Sequence, residues 1–516
     1  MKIILVNPPS HSYRNPEEHL GLAYLKSVLE LNNFKSNIID GYLLKLKCQS
    51  ITNKIAKDKE VVILGLSPSI DSLREAIDIS RGVKELRPDI FICWGGHLAS
   101  FSFQDLLRDH PHIDFIVRGE GEITFLEVVK KIALVKKMDL NNIKGVAYRN
   151  GEKIVFTDSR NLIENLDILP FPDRSNTKMA VKLGSLVEIS GSRGCYGNCS
   201  FCSINSLYKL SNGKSWRGRS TKNIVDELEY LNGKLGFSMF KFVDDSFFGP
   251  GLNSGKRAVE IADEIIKRKL KIRFRISSRV NDVDRKVFAK LKKAGLYAVS
   301  VGTESGVQRA LNTFKKGVTV RQNKNALKIL KNLKIITLMG FIGFDPYMSF
   351  DEVEENIKFL EKTKFCMSDI ISKPLFVHAG DEITKQLIKD AMIIGRDFPN
   401  YTYEIKDKKV QLVLDCLRYW NSFNKDLFYK ISDPLTAPRI TLKKDEPVLL
   451  KLHLQMRKID IGAYKYIVKM IKLNYDNKTI KDHLNLRKLI ADRQWKKIDC
   501  QFNSIINNYE YFSNKI

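Results

Sequence analysis

Residues 190–204 read SGSRGCYGNCSFCSI. Cys195, Cys199 and Cys202 fall there in the spacing CxxxCxxC, and the only other cysteines are Cys48, Cys93, Cys366, Cys416 and Cys500. Thiols gathered this closely, in a chain otherwise poor in cysteine, bind metal or do chemistry more often than they build a disulfide framework. A structural zinc takes four tetrahedral ligands, usually as two CxxC-like pairs. No second pair exists, so zinc would need a distant histidine. Thiolates also hold cubane iron–sulfur clusters, normally four per cubane. Three leave one iron open, as catalytic metal sites keep a position open for a ligand. Packing as three small hydrophobes does not suit so polar a loop.

The loop closes the segment SLVEIS (185–190), which reads as a strand. RGRSTKNIVDELEYL follows, a helix with Ile224, Val225, Leu228 and Leu231 on one face. Further strands are expected at 240–245, 272–279, 298–305, 335–344 and 371–377, making six β/α units over 183–389. In β/α barrels the chemistry sits at the carboxyl ends of the strands. Beyond residue 390 the strand rhythm stops, and VQLVLDCLRYWNSFNKDLFYKI and AYKYIVKMIKLNY have helical spacing, so 390–516 is expected to be mainly helical.

Upstream, five apolar runs recur between helical patterns: KIILV (2–6), NIID (37–40), VVILGL (61–66), IFICW (90–94) and DFIVR (114–118). Continuous β-branched runs suit parallel strands buried on both faces, so residues 1–135 are expected to form a doubly wound open sheet. The strands end in NPPS, SPSI, GGH and GEGE, which place Pro8, Ser67, Ser69, Gly95, Gly96, His97, Gly119, Glu120 and Gly121 at one edge. Ligands of open α/β sheets bind at that edge. A single such loop is accounted for by tight turns; four at one edge point to a ligand site. Residues 136–182 read as a linker, with YRNGEKIVF as a hairpin and ILPFPDR as a Pro-punctuated exit.

The totals bound the class. The chain has 516 residues, 43% of them hydrophobic, enough for several cores. No apolar run reaches the roughly 18 residues a membrane span needs. The start MKIILVNPP is too short for a signal peptide and suits a first strand, so a cytoplasmic protein is expected. The net charge of +27 would fit nucleic acid, anionic lipid or an acidic substrate. The excess is spread along the chain, without a basic block or an aromatic–basic RNA motif, so a nucleic acid partner is not expected.

With Phe201 before the third cysteine and Gly194 and Gly197 in the loop, CxxxCxxC resembles the radical S-adenosylmethionine (SAM) superfamily. GGH followed by VRGEGEITFLEVV, together with NPP, GLAYL, NIID and GLS, resembles the cobalamin-binding domain that precedes many such enzymes. The resemblance covers residues 1–380. It implies an α/β chain with a Rossmann-like cobalamin-binding domain over 1–135, a partial (β/α)6 barrel over 183–389 and an appended helical domain. It implies a 4Fe-4S cluster on Cys195, Cys199 and Cys202, with SAM on the open iron. Phe201, Asp244, Asp245, Ser277, Arg279, Glu304, Ser305 and Gly343 are the SAM contacts it implies. Of these, GTES matches the family motif, whereas VDDSFFG replaces the usual Gly-Gly-Glu-like segment. RISSR sets Arg275, Ser277 and Arg279 on one face; for Arg275 a salt bridge at the barrel rim is an equal reading. Cobalamin contacts fall to the edge loops, Pro8 through Gly121. DxHxxG, which supplies the cobalt-ligating histidine in related domains, is absent; the resemblance therefore implies cobalamin without a lower histidine, with His97 beside the corrin or, alternatively, a ligand.

The activity implied is methylation of an unactivated carbon in a small-molecule or peptide substrate, through a 5′-deoxyadenosyl radical and methylcobalamin, with electrons from a flavodoxin- or ferredoxin-like donor. Cyclisation or rearrangement without net methyl transfer is an alternative. RNA modification is another, opposed by the presence of only Cys48 and Cys93 in the first domain. A non-catalytic sensor is opposed by the intact cysteine triad.

Overall fold

The computed structural model describes residues 1–10, 17–135, 139–251, 253–368, 371–397, 400–436 and 445–513. Its strands are β1 (Lys2–Asn7), β2 (Lys35–Asp40), β3 (Val61–Leu66), β4 (Phe91–Trp94), β5 (Phe115–Val117), β6 (Val146–Asn150), β7 (Lys153–Phe156), β8 (Val187–Ile189), β9 (Ser192–Arg193), β10 (Arg217–Gly218), β11 (Met239–Phe242), β12 (Arg273–Arg279), β13 (Leu296–Glu304), β14 (Ile336–Phe341), β15 (Met367–Ser368), β16 (Ile393–Asp397) and β17 (Asn400–Tyr403).

Along β1 the side chains alternate between two cores, as strand geometry requires. Ile4 and Val6 pack on one face with Leu64, Ile92 and Trp94. Ile3 and Leu5 pack on the other with Ile63, Phe115 and Phe125. Helices cover both faces, which is why the strands read as unbroken apolar runs. The sheet order is β2-β1-β3-β4-β5-β6-β7, with the first five strands parallel. The order reverses at β1, so the strand-end loops form a crevice there.

The hairpin expected within the linker is present, and it belongs to this sheet. β6 pairs antiparallel with β5, Phe115 facing Tyr148, and β7 closes the edge. Residues 136–138, where that linker was expected to begin, lie outside the described residues.

The second sheet has six strands in the order β15-β14-β13-β12-β11-β8, and every pairing is parallel. It is an open partial barrel with β8 and β15 at its edges. The sixth strand is Met367–Ser368, earlier than the expected 371–377. Proline has no N–H to give a ladder, and among the described residues the later segment meets the barrel beyond the end of β14, at the Phe344–Pro374 bridge, where Gly343 N–H donates to Lys373 O at 2.9 Å and Leu375 N–H to Phe344 O at 2.8 Å. β9 and β10 form a separate two-stranded ribbon.

After the barrel the hairpin β16–β17 interrupts the expected helical region. The helices Lys408–Asn421 and Glu446–Lys472 then pack on the barrel, and Asn477–Ser513 packs on those two. Trp420 and Trp495 meet at 5.4 Å between ring centres. Buried Arg457 donates to the carbonyls of Leu360, Thr363 and Cys366. It satisfies orphan acceptors just past the helix Phe350–Lys362 and sets a cation at the negative end of its dipole. Among the described residues no helix is long and apolar enough to cross a membrane.

Candidate active site

A cavity of about 1310 Å³ opens where the strand-end loops of the first sheet face the barrel. Ser67, Ser69, Gly95, Gly96, His97, Gly119, Glu120 and Gly121 all line it. Pro8 is buried beside that group and does not line it. Gly96 takes φ +89, and a Cβ there would lie 2.9 Å from Ser67 Oγ. Glycine thus lets two loops close on each other and bares backbone toward the cavity. Burial keeps the His97 imidazole pKa below its usual value, hence neutral near pH 7.

The cysteine loop hangs from the ribbon. Gly194 (φ +79) opens it, and a Cβ there would meet Ser215 O at 1.8 Å. Cys195 Sγ accepts from Gly197 N–H at 3.3 Å. Cys199 Sγ accepts from Arg279 Nη1 at 3.2 Å. Cys202 caps the short helix Ser203–Tyr208. Burial pushes the Cys202 thiol up to about 11 and raises that of Cys195. Among the described residues, no three His, Cys, Asp or Glu side chains converge on one point as they stand. The donor set nonetheless fits an iron–sulfur cluster. It comprises three thiols on one loop with a guanidinium against the middle one, and such thiols lose their protons on ligating metal.

The other expected SAM residues are spread along the barrel rim. Asp245 lines the cavity and accepts from Gly194 N–H at 3.1 Å; burial pushes its carboxyl up to about 6. Asp244 points away. Its Oδ1 accepts from Gly191 N–H at 2.6 Å and its Oδ2 from Ser192 Oγ at 2.8 Å, so it ties the turn ahead of the cysteines. Glu304 pairs with Lys316 at 2.7 Å. Ser305 Oγ bonds Asn356 Oδ1 at 3.1 Å. Ser277 stands opposite Ser300, and its carbonyl accepts from Phe247 N–H at 3.1 Å. Arg279 Nη2 also donates to Lys316 O. Phe201 packs edge-on against Phe314 at 5.3 Å. Gly343 lets backbone pass close, since a Cβ would meet Ile371 O at 2.4 Å. None of these except Asp245 lines the cavity, and neither do the three cysteines, although Ser203 next to them does.

Two parts of the site escaped sequence reading. The third wall comes from residues 374–379, from Tyr401, Tyr403 and Ile405, and from Gln411, Leu414 and Arg418; its residues are ordinary core and turn types. The second part is the partner set of Glu120, whose carboxylate is taken up by Arg193 and Arg217. Burial opposes the Arg193 charge, and Glu122 and Glu120 outweigh it, raising its pKa.

A doubly wound domain, a partial β/α barrel with CxxxCxxC at its first strand and a large cavity between them define a class, and the comparisons agree with it. Residues 189–360 match the model of the Radical SAM superfamily, and residues 10–129 match the B12 binding domain. An uncharacterized methyltransferase of Pyrococcus horikoshii is 33% identical over 414 residues, covering 78% of this chain and 86% of the relative. The anaerobic magnesium-protoporphyrin IX monomethyl ester cyclase of Rubrivivax gelatinosus is 31% identical over 376 residues, 69% of this chain and 65% of that one. The solved structure of the cobalamin-dependent radical SAM enzyme OxsB shares the fold with a TM-score of 0.81 at 20% identity, covering 98% of this chain and 81% of that one. The chain belongs to the radical SAM enzymes that carry a B12-binding domain. Its cofactors are accordingly a 4Fe-4S cluster, SAM and cobalamin.

Proposed function

We propose that this enzyme methylates an unactivated carbon of a small-molecule or peptide substrate. The observation that carries the reading is the Pyrococcus horikoshii relative, named a methyltransferase, 86% of whose length is covered at 33% identity. Cys195, Cys199 and Cys202 hold the cluster. Asp245 and Glu304 are the carboxylates offered to SAM; Ser277 and Arg279 stand beside them, with Phe201, Ser305 and Gly343 shaping the rim. Asp244, occupied by the turn, supports them. The loops carrying Ser67, Ser69, Gly95, Gly96, His97, Gly119 and Gly121 hold cobalamin, with Glu120 anchoring the last of them and Pro8 behind. When bound, these cofactors supply the radical and methyl-transfer chemistry that side chains lack. The chain sets the cobalamin loops on one wall of the cavity and Asp245, with the cysteine loop behind it, on the facing one; Leu375, Val377 and Tyr403 would screen the cofactors from water, and that third wall is left to the substrate. A flavodoxin- or ferredoxin-like protein supplies electrons.

The cyclase relative, 31% identical, favours a second reading: bond formation or rearrangement without methyl transfer. An anaerobic assay with methyl-labelled SAM separates the two. Label in the product supports methylation. Deoxyadenosine accompanied by an altered, unlabelled product sinks it and puts the second reading in its place.

A further inference from the structure

The two cofactor-bearing domains meet in a buried lattice of ion pairs. Arg193 ends β9, two positions before Cys195. Its Nη1 donates to Glu120 at 3.1 Å and its Nη2 to Glu122 at 2.6 Å. Its guanidinium lies over the Tyr24 ring at 5.3 Å. Arg217 faces Arg193 across the ribbon. It donates from Nη1 to both Glu120 oxygens, at 2.9 and 2.8 Å, and to Ile163 O at 2.9 Å. Glu120 Oε2 also accepts from Ile163 N–H at 2.8 Å. Glu120 sits in the loop after β5, whose glycines line the cavity, and Glu122 in the first turn of the helix Gly121–Val135 that follows.

A buried ion pair adds little stability over an apolar seam of equal size. Geometry is what it adds: the planar fork of an arginine accepts carboxylates only in set directions. Here two arginines at paired positions close on glutamates two residues apart, which defines one docking pose. Little slack lies on either side. Gly119 N–H is held by Ser100 Oγ at 2.9 Å. Gly194 N–H is held by Asp245 at 3.1 Å, and its Cα lies against Ser215. A displacement at the lattice therefore passes to residues 119–122 on one side and to the cysteine loop on the other.

We infer that Arg193 and Arg217, closed on Glu120 and Glu122, are positioning residues that fix the separation between the cobalamin loop and the cysteine loop. This rests on the proposed assignment of those loops to their cofactors. Two cofactors acting on one substrate atom need that separation held closely, since a misplacement of about 1 Å costs on the order of a hundredfold in rate.

The test compares wild type with Arg193→Gln, Arg193→Lys and Glu122→Gln. Hydrogen exchange is measured first on the cofactor-free proteins. The Gln variants are expected to exchange about ten- to a hundredfold faster in both segments, 119–122 and 194–202, the range for losing charge-assisted bonds. Arg193→Lys keeps the charge and loses the fork, and is expected to lie between. Loaded variants are then expected to keep wild-type iron and cobalamin, to show an altered magnetic interaction between Co(II) and the reduced cluster, and to form about tenfold less product per deoxyadenosine. Faster exchange in neither segment or in only one, or an unchanged product ratio, overturns the inference. Should Arg193→Gln not fold, Glu122→Gln, which leaves both arginines on Glu120, decides by the same readouts. A wild-type protein without cobalamin or iron would count against the cofactor assignment, while the exchange result on cofactor-free protein still decides the clamp.

Discussion

The Glu304 carboxylate meets the Lys316 ammonium at 2.7 Å, both side chains largely buried, and Glu304 reaches it from a left-handed backbone at φ +59. A non-glycine residue there carries on the order of 1–3 kcal/mol of strain. The surroundings hold it: Asn323 Nδ2 donates to Thr303 O at 2.8 Å and to Ser305 O at 3.1 Å. The Lys316 carbonyl accepts from Arg279, whose other nitrogen reaches Cys199. One chain of contacts thus runs from the end of β13 to the cysteine loop. Lys316→Met strands a buried carboxylate and is expected to cost about 3–5 kcal/mol. Adding Glu304→Gln should recover much of that. Denaturant unfolding of the single and double variants checks it; a single variant as stable as wild type sinks the pairing argument.

Gly197 faces Arg279 so closely that a Cβ would lie 2.0 Å from Nη1. That guanidinium is also held by Lys316 O and rests over the Tyr196 ring at 5.4 Å. Gly197→Ala must push it off Cys199. On the proposed cluster assignment, a cation moved away favours the oxidised cluster. The variant is expected to retain iron while its midpoint potential falls by about 65–130 mV, the equivalent of one charge-assisted bond in a one-electron couple. Potentiometry without SAM reads this directly. A potential that rises or stays put refutes it.

Much of the fold could be read locally because its strands are buried on both faces. Ile3, Ile4, Leu5 and Val6 needed no partner information to read as a strand. Pairing is a different matter. The hairpin over residues 146–156 could be read from Asn150–Gly151, yet its place beside β5 depends on contacts such as Phe115–Tyr148, which leave no local trace. The candidate site divides the same way. The cysteines and the strand-end glycines announce themselves by spacing. Glu120 looks like a ligand-loop residue until Arg193 and Arg217, more than 70 positions away, take its oxygens. The sixth strand expected at 371–377 contains Pro374, which has no N–H to extend a ladder, so pairing there stops at one bridge to Phe344.

Asp40 gives the protein a pH dependence of predictable sign. It stands beside Asn7 across β1 and β2, accepts from Asn7 Nδ2 and Leu43 N–H, and keeps Oδ2 buried without a partner. Burial pushes its carboxyl from 3.8 up to about 6. The unfolded chain therefore releases this proton at lower pH than the folded one. Stability from this group is highest below about pH 4 and declines as pH rises to about 6, by on the order of 3 kcal/mol. Above that it is flat. Asp40→Asn removes the decline and should stabilise the protein at pH 8 more than at pH 4. Denaturation midpoints at both values check it; an equal effect at both would show that Asp40 does not titrate in this window.

Asp244 and Asp245 are neighbours with opposite duties. Asp244 is fully engaged by Gly191 N–H and Ser192 Oγ, with Arg257 nearby. Its removal leaves the buried Gly191 N–H without an acceptor, at about 1–3 kcal/mol, while Ser192 Oγ keeps Ser246 O at 3.0 Å as its acceptor. Asp244→Ala should therefore lower the denaturation midpoint and, by loosening the turn before Gly194, lower the iron retained on reconstitution. Asp245 has one backbone partner and a face on the cavity. Asp245→Ala should leave the midpoint within a few degrees of wild type, an effect of about 1 kcal/mol. On the proposed assignment of Asp245 to SAM, it should weaken SAM binding about ten- to a hundredfold, the range for a lost charge-assisted contact. Equilibrium SAM binding and thermal melting on the same two proteins separate the roles. The reverse pattern, with Asp244→Ala stable and blind to SAM while Asp245→Ala unfolds, would hand the ligand-facing role to Asp244 and require its side chain to turn toward the cavity when SAM binds.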